Sequence, residues 1–137
     1  MRFALITAFS LLGTGFAYAQ SPVSTENVLH ATTTIADQKI ELPQGPVEVS
    51  ATVITIQPGT SLPVHRHPFQ RYGYVLAGTL SVRNQETGKT QSFKTGEFII
   101  ESLAKWHSGT NSGTEPLKLL VIDQAPSGAQ ITEVKKQ

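Results

Sequence analysis

Three histidines are the residues of this chain best suited to do chemistry. His65 and His67 are separated by one residue, and His107 follows forty residues later. Residues i and i+2 of an extended segment face the same way, so both imidazoles could reach one ion at roughly 2.0 to 2.2 Å. A single His-x-His pattern also fits an exposed polar turn, so the proposed site depends on His107 arriving from a neighbouring strand.

The rest of the composition narrows the choice of ligands. The chain has no cysteine, so imidazole, carboxylate and carbonyl groups are the only metal ligands on offer. The expected cofactor is therefore one divalent transition metal, chosen from Fe, Ni, Cu, Zn and Mn. His30 stands apart from the other three and is interpreted as an ordinary surface histidine.

The first residues have the pattern of a secretory signal. Arg2 precedes an apolar run, and Ala17-Tyr18-Ala19 is an A-x-A cleavage site, which predicts a signal peptide over residues 1–19 and an exported protein, periplasmic or secreted. We expect a flexible lead-in over 20–27, one domain over 28–134 and a tail over 135–137. Lys and Arg number 11 and Asp and Glu 10, so loss of Arg2 would balance the charges, and neither nucleic acid nor a membrane is expected as a partner.

Short stretches rich in Val, Ile, Leu and Thr recur between Gly, Pro and Asn residues. This spacing predicts an all-β domain of short antiparallel strands, a sandwich or a barrel. The predicted strands are 47–56, 72–76, 79–83, 90–94, 97–100, 106–108, 117–123 and a short edge strand within 130–134. In the first of them, polar residues alternate with an apolar set that is expected to be buried: Val47, Val49, Ala51 and Val53.

The spacing around the histidines resembles the two-part signature of the cupin family. The first part is present as Gly59, His65, His67 and Gly78, with Arg71 where a Glu is expected. The second part is present as Gly96, His107 and Asn111, with Ser102 and Ala104 in place of Pro and Gly. The resemblance covers about residues 48–124. It implies a jelly-roll β-barrel of six to eight strands, with His65, His67 and His107 as three of the four usual metal ligands inside it.

The missing carboxylate leaves the role of Arg71 open. A guanidinium is always charged and has no acceptor, so it cannot be a ligand. Its side chain could point out of the barrel, bind an anionic group of a substrate, or mark a protein that has lost its metal. Gln70 is the nearest candidate fourth ligand through its amide oxygen, although the position fits a solvated loop residue better. Glu97 is expected to be surface charge, and Glu101 is a candidate base.

Apolar residues beside the histidines suggest a pocket and an interface. The aromatic residues that could line a mostly apolar pocket, or simply belong to the core, are Phe69, Tyr72, Tyr74 and Trp106. In the segment that starts at Arg71, both alternating faces are apolar. A second sheet or a second subunit should therefore cover the outer face, which predicts a homodimer.

Two functions are compatible with these features. The first is an exported metal-binding cupin that acts as a metal-dependent, dioxygenase-like enzyme on a small organic molecule, an option that the family resemblance supplies. The second is a non-enzymatic protein that binds or senses a small ligand, with a structural or absent metal. Cupin barrels host many reactions, so the fold does not choose between the two.

Overall fold

The computed structural model describes residues 22–136, which fold as β-structure without a helix. The predicted signal peptide lies outside the described residues. The strands are β1 (Glu48–Ile56), β2 (His65–Arg66), β3 (Arg71–Ala77), β4 (Thr79–Asn84), β5 (Thr90–Lys94), β6 (Phe98–Ile100), β7 (His107–Asn111), β8 (Leu117–Ala125) and β9 (Glu133–Val134). Residues 22–136 contain no helix of the length and apolar character needed to cross a bilayer.

The strands form two antiparallel sheets, in the order β1-β8-β3-β6 and β5-β4-β7-β2-β9. This arrangement confirms the predicted all-β jelly roll. The sheets are not closed into one ring, however, and the described residues form nine strands rather than six to eight. The difference arises because β2 and β9 consist of two residues each. Such strands are too short to show an alternating pattern in the sequence.

Apolar side chains from both sheets fill the space between them. The buried cluster consists of Ile56, Val75, Leu80, Val82, Ile99, Leu117, Leu119 and Val121. Gly78 joins β3 to β4 with a φ of +87°, and a Cβ there would lie 2.9 Å from the Cα of Leu117. Only glycine adopts this positive φ without strain and leaves room for Leu117. The tight connection between β3 and β4 therefore requires glycine at position 78.

The buried face of β1 is the opposite of the predicted one. Val49 and Val53 are 64% and 54% exposed, whereas Ile56 is buried. The reason is the register with β8, in which Ile56 lies opposite Leu117 and both side chains enter the core. The inward face begins with Glu48, Ser50 and Thr52 and becomes apolar only at Ile54 and Ile56, so the alternation at its start indicated the wrong face.

The outer face of the first sheet is apolar, as predicted for β3. Tyr72 and Tyr74 pack against Phe98 with ring centroids 6.0 and 6.4 Å apart, and Leu76 is 41% exposed. These side chains continue the exposed apolar face of β1 across the sheet. The homodimer stays a prediction.

Candidate metal centre

The second sheet brings the three predicted histidines together. His65 on β2 lies opposite His107 on β7, and His67 follows two residues later at a bridge to Leu103. The ring centroids are 4.5 to 5.0 Å apart, and one nitrogen from each ring lies within 4.8 Å of the others. All three residues are buried. Three imidazoles from two strands and a following loop therefore converge on one point.

Backbone carbonyls orient each of these rings. A carbonyl can only accept, so each Nδ1 carries the proton and the lone pair of each Nε2 is left for a ligand or an ion. The carbonyl partners are Pro63 for His65 at 2.7 Å, Ile131 for His67 at 3.1 Å and Lys105 for His107 at 2.8 Å. Preset rings of this kind are typical of metal-ligating histidines.

Glu101, the candidate base of the sequence analysis, contacts two of the three histidines. Its Oε2 lies 3.2 Å from Nε2 of His67 and 3.3 Å from Nε2 of His107. The geometry to His107 is not that of a hydrogen bond, so this Nε2 is a buried nitrogen without a hydrogen-bond partner among the described residues. A buried polar atom left unpaired is costly, and a bound cation would satisfy it. The residues present thus fit a divalent metal.

Burial and charge set the protonation of the cluster. Burial lowers the pKa of His65 to about 4, so this imidazole is neutral near pH 7. Burial also lowers the pKa of His107, but the adjacent Glu101 carboxylate outweighs it and raises the pKa overall. For Glu101 itself, burial raises the pKa, but the imidazoles of His107 and His67 hold it well below its usual range. The site therefore has an ionised carboxylate among imidazoles.

Arg71 lies beside this cluster rather than outside the fold. Its Nε and Nη2 donate to the two carboxylate oxygens of Asp123 at 2.7 and 3.0 Å, and Nη2 also donates to Thr132 at 3.1 Å. Nη1 lies 3.4 Å from Nε2 of His67. Asp123 was missed by the sequence analysis, since only the register of β3 with β8 places it opposite Arg71. It neutralises a guanidinium that would otherwise repel a metal ion.

The remaining predicted site residues lie at various distances from the cluster. Gln70 is buried, and its Nε2 donates to the backbone carbonyls of Arg71 and Glu101 at 3.1 and 3.0 Å. The fourth-ligand role of Gln70 stays a prediction. Glu97 is exposed and its carboxylate accepts the amide of Lys94, in keeping with surface charge. His30 is exposed, as predicted.

Two of the spaces that border the centre reach both His65 and Arg71. One of about 30 Å³, close to the volume of a water molecule, is lined in part by His65, His107, Glu101 and Arg71. The other, of about 350 Å³, reaches His65 and Arg71 between the sheets. It is otherwise lined by Thr52, Ile54, Leu62, Pro63, Val121, Asp123, Ile131, Thr132 and Val134.

The aromatic residues that could have lined a pocket do not line this larger cavity. Tyr72 and Tyr74 lie on the outer face of the sheet, and Trp106 stacks with the guanidinium of Arg66 at 4.7 Å. Phe69 borders a separate surface pocket. β3 turns the face opposite Tyr72 and Tyr74 inward, and Phe69 and Trp106 lie in loops, so the cavity wall is mainly aliphatic.

The loop that carries Ala104 into the site is strained at that residue. Ala104 has a φ of +54°, and its amide donates to the carbonyl of His67 at 2.8 Å. A non-glycine residue with such a positive φ costs about 1 to 2 kcal/mol of stability, and glycine avoids this cost. Glycine loses more conformational entropy on folding, however, which cancels part of the gain. We expect Ala104→Gly to raise the free energy of unfolding by about 0.5 to 1 kcal/mol. Urea denaturation of the metal-free protein would measure it, and a loss of stability would contradict the strain.

Comparison with known proteins defines the class. A family model described as a cupin domain matches residues 52–123, a segment that runs from β1 to β8 and includes all three histidines. The chain belongs to the cupin family. A search of curated proteins finds no match.

Solved structures support the same fold. A protein with a double-stranded β-helix domain from Klebsiella pneumoniae is 26% identical, with a TM-score of 0.54 over 65% of this chain and 76% of that one. The oxalate decarboxylase of Lactobacillus farciminis, in a formate complex, is 27% identical, with a TM-score of 0.54 over 63% of this chain but only 26% of that one. A polyketide cyclase from Streptomyces resistomycificus shares the fold at 20% identity, with a TM-score of 0.55 over 65% of this chain and 61% of that one.

Proposed function

We propose that this cupin is a metal-dependent, dioxygenase-like enzyme that acts on a small, largely apolar organic molecule. The observation that carries the proposal is the convergence of three buried Nε2 atoms, on His65, His67 and His107, beside a cavity that opens toward His65. When bound there, a divalent transition metal would supply Lewis-acid or redox chemistry. Imidazole ligands suit Fe, Ni, Cu and Zn, and Mn is a further candidate.

The larger cavity indicates the class of substrate. Its volume of about 350 Å³ lies within the usual range for small-molecule sites, and its wall is mostly aliphatic. Arg71 is the cationic side chain on that wall, and Nε and Nη2 are engaged by Asp123. Nη1 is the nitrogen that Asp123 does not engage, and it lies 3.4 Å from Nε2 of His67, beside the metal centre. Arg71 could therefore bind one anionic or carbonyl oxygen on an apolar body more readily than a dicarboxylate.

A further space, with a volume of about 280 Å³, borders His107 but not His65. Its rim includes charged residues, and two of them, Lys105 and Glu86, already form an ion pair at 2.9 Å. An apolar substrate would have to remove water from these charges, which is costly. We therefore assign the substrate to the cavity at His65.

Location and assembly are further parts of the proposal. The pattern of residues 1–19 supports export to the periplasm or the medium. The apolar outer face formed by β1 and β3 supports a homodimer, with Val49 and Val53 at its exposed side.

The proposal can be tested with one variant and its matched control. Thr52 lines the cavity, whereas Thr90 on β5 lies outside it, and both are exposed. Thr52→Trp should fill the cavity while the metal content stays unchanged, whereas Thr90→Trp should change neither. Dioxygen uptake is followed with diketone, phenolic and thiol substrates after loading with Fe, Ni, Cu or Mn.

Turnover by the wild type and the Thr90 variant, with loss of at least about tenfold in kcat/KM for the Thr52 variant, would support the enzyme. Tight binding of such compounds without turnover under any of these metals would favour the non-enzymatic binder instead. Equal turnover by both variants would place the substrate outside the cavity at His65.

A further inference from the structure

The position that supplies a carboxylate in the family's first motif is occupied here by Arg71, yet the histidine cluster still contains one carboxylate. Glu101 directly follows the last residue of β6, at the start of the loop that leads to β7. It is 8% exposed, and its Oε2 lies against two of the three Nε2 atoms. A buried carboxylate among imidazoles needs a positive partner to offset its desolvation.

The distances match those between ligands of one ion. Two atoms bound to a metal at roughly 2.1 Å, at tetrahedral or octahedral angles, lie about 3.0 to 3.4 Å apart. Oε2 of Glu101 is 3.2 Å from Nε2 of His67 and 3.3 Å from Nε2 of His107. Since each Nδ1 donates to a carbonyl, each Nε2 can be joined to the carboxylate oxygen only through a further proton or a bound cation. A metal ion placed between them would be bound by all three atoms.

Hydrogen bonds with Gln70 and Arg71, which follow His67 in the chain, fix the backbone of Glu101. Its amide donates to the carbonyl of Arg71 at 3.0 Å, and its carbonyl accepts the side-chain amide of Gln70 at 3.0 Å. The residues that follow His67 therefore hold Glu101 in place through its main chain. Such support keeps the geometry of a metal ligand constant.

From this geometry we infer that Glu101 is the fourth protein ligand of the metal centre, a carboxylate supplied from the loop after β6 in place of the one absent at Arg71. The inference rests on the proposed function, because it presupposes a metal at the three histidines. It also assigns Arg71 and Asp123 a separate task, since their mutual neutralisation leaves Glu101 as the carboxylate available to the ion.

The test uses Co²⁺ alone as the probe, because its visible absorption bands change with the ligand set. Glu101→Gln should weaken Co²⁺ binding at least about tenfold and shift these bands, because the charged oxygen is lost while the size is kept. Glu97→Gln makes the same chemical change on the surface four residues away and should leave both unchanged. Glu101→Asp keeps the charge on a shorter side chain and should also bind more weakly, with shifted bands.

The outcomes separate this inference from the metal centre itself. If His107→Ala loses Co²⁺ while Glu101→Gln keeps wild-type affinity or wild-type bands, the metal centre stands and Glu101 is not a ligand. If His107→Ala binds Co²⁺ as well as the wild type, the metal centre is wrong. Should Glu101→Gln fail to fold by circular dichroism, Glu101→Asp decides, and wild-type affinity and bands in that variant would overturn the inference.

Discussion

His107→Ala is expected to lower the affinity for a divalent transition metal by a hundredfold or more while the jelly roll stays folded. His107 belongs to the cluster whose nitrogens lie within 4.8 Å of one another, and its Nε2 has no hydrogen-bond partner among the described residues. Loss of a residue that only hydrogen-bonds to a metal ligand typically lowers metal affinity roughly 10- to 100-fold. Loss of a ligand itself should lower the affinity further. Metal analysis after dialysis and titration with Co²⁺ would measure the effect.

The same titration needs a histidine that lies away from the cluster. His30 is exposed, so His30→Ala should bind metal as well as the wild type does. Circular dichroism of both variants without metal tests the fold, which should survive because the apolar core does not include His107. Unchanged metal content in His107→Ala would rule out the proposed coordination.

Asp123→Asn should lower the free energy of unfolding by about 3 to 5 kcal/mol, because it leaves the buried guanidinium of Arg71 without a counter-charge. Both side chains are largely buried, at 11% and 7% exposure, and two hydrogen bonds join them. The remaining positive charge also lies next to His67, so metal binding should weaken as well. Urea denaturation with a chelator present measures the stability separately from any bound metal.

A double variant distinguishes a lost interaction from an uncompensated charge. Arg71→Met combined with Asp123→Leu removes both charges and should recover most of the stability lost in Asp123→Asn, because apolar replacements of a buried pair are often close to neutral. A destabilisation by Asp123→Asn of less than about 1 kcal/mol would show instead that water screens the pair.

The strands and the histidines could be predicted because their signals are local. The predicted strand at 90–94 matches β5, and 79–83 lies within β4. The spacing of His65 and His67 relative to His107, together with the glycine at 78, indicated the family that the later comparison shows. Alternating apolar residues and turn glycines depend on backbone geometry within a few residues, so one sequence is enough to detect them.

The partners of these residues depended on contacts between distant parts of the chain. Arg71 meets Asp123 across 52 residues, and Glu101 reaches His67 only after β3 has paired with β6. An Asp or a Glu has no sequence signal that identifies its neighbour across a sheet. The buried face of β1 also depended on distant contacts, because it starts with the polar residues Glu48, Ser50 and Thr52 and only the register with β8 turns it inward.

The sequence by itself thus determined which residues could bind a metal and that the chain forms a jelly roll, because both follow from residue type and short spacing. The tertiary structure alone decided which carboxylate faces the imidazoles, which one neutralises Arg71, and that the adjoining cavity is aliphatic. These features arise from strand register, which couples positions far apart in the chain through backbone hydrogen bonds that no local pattern specifies.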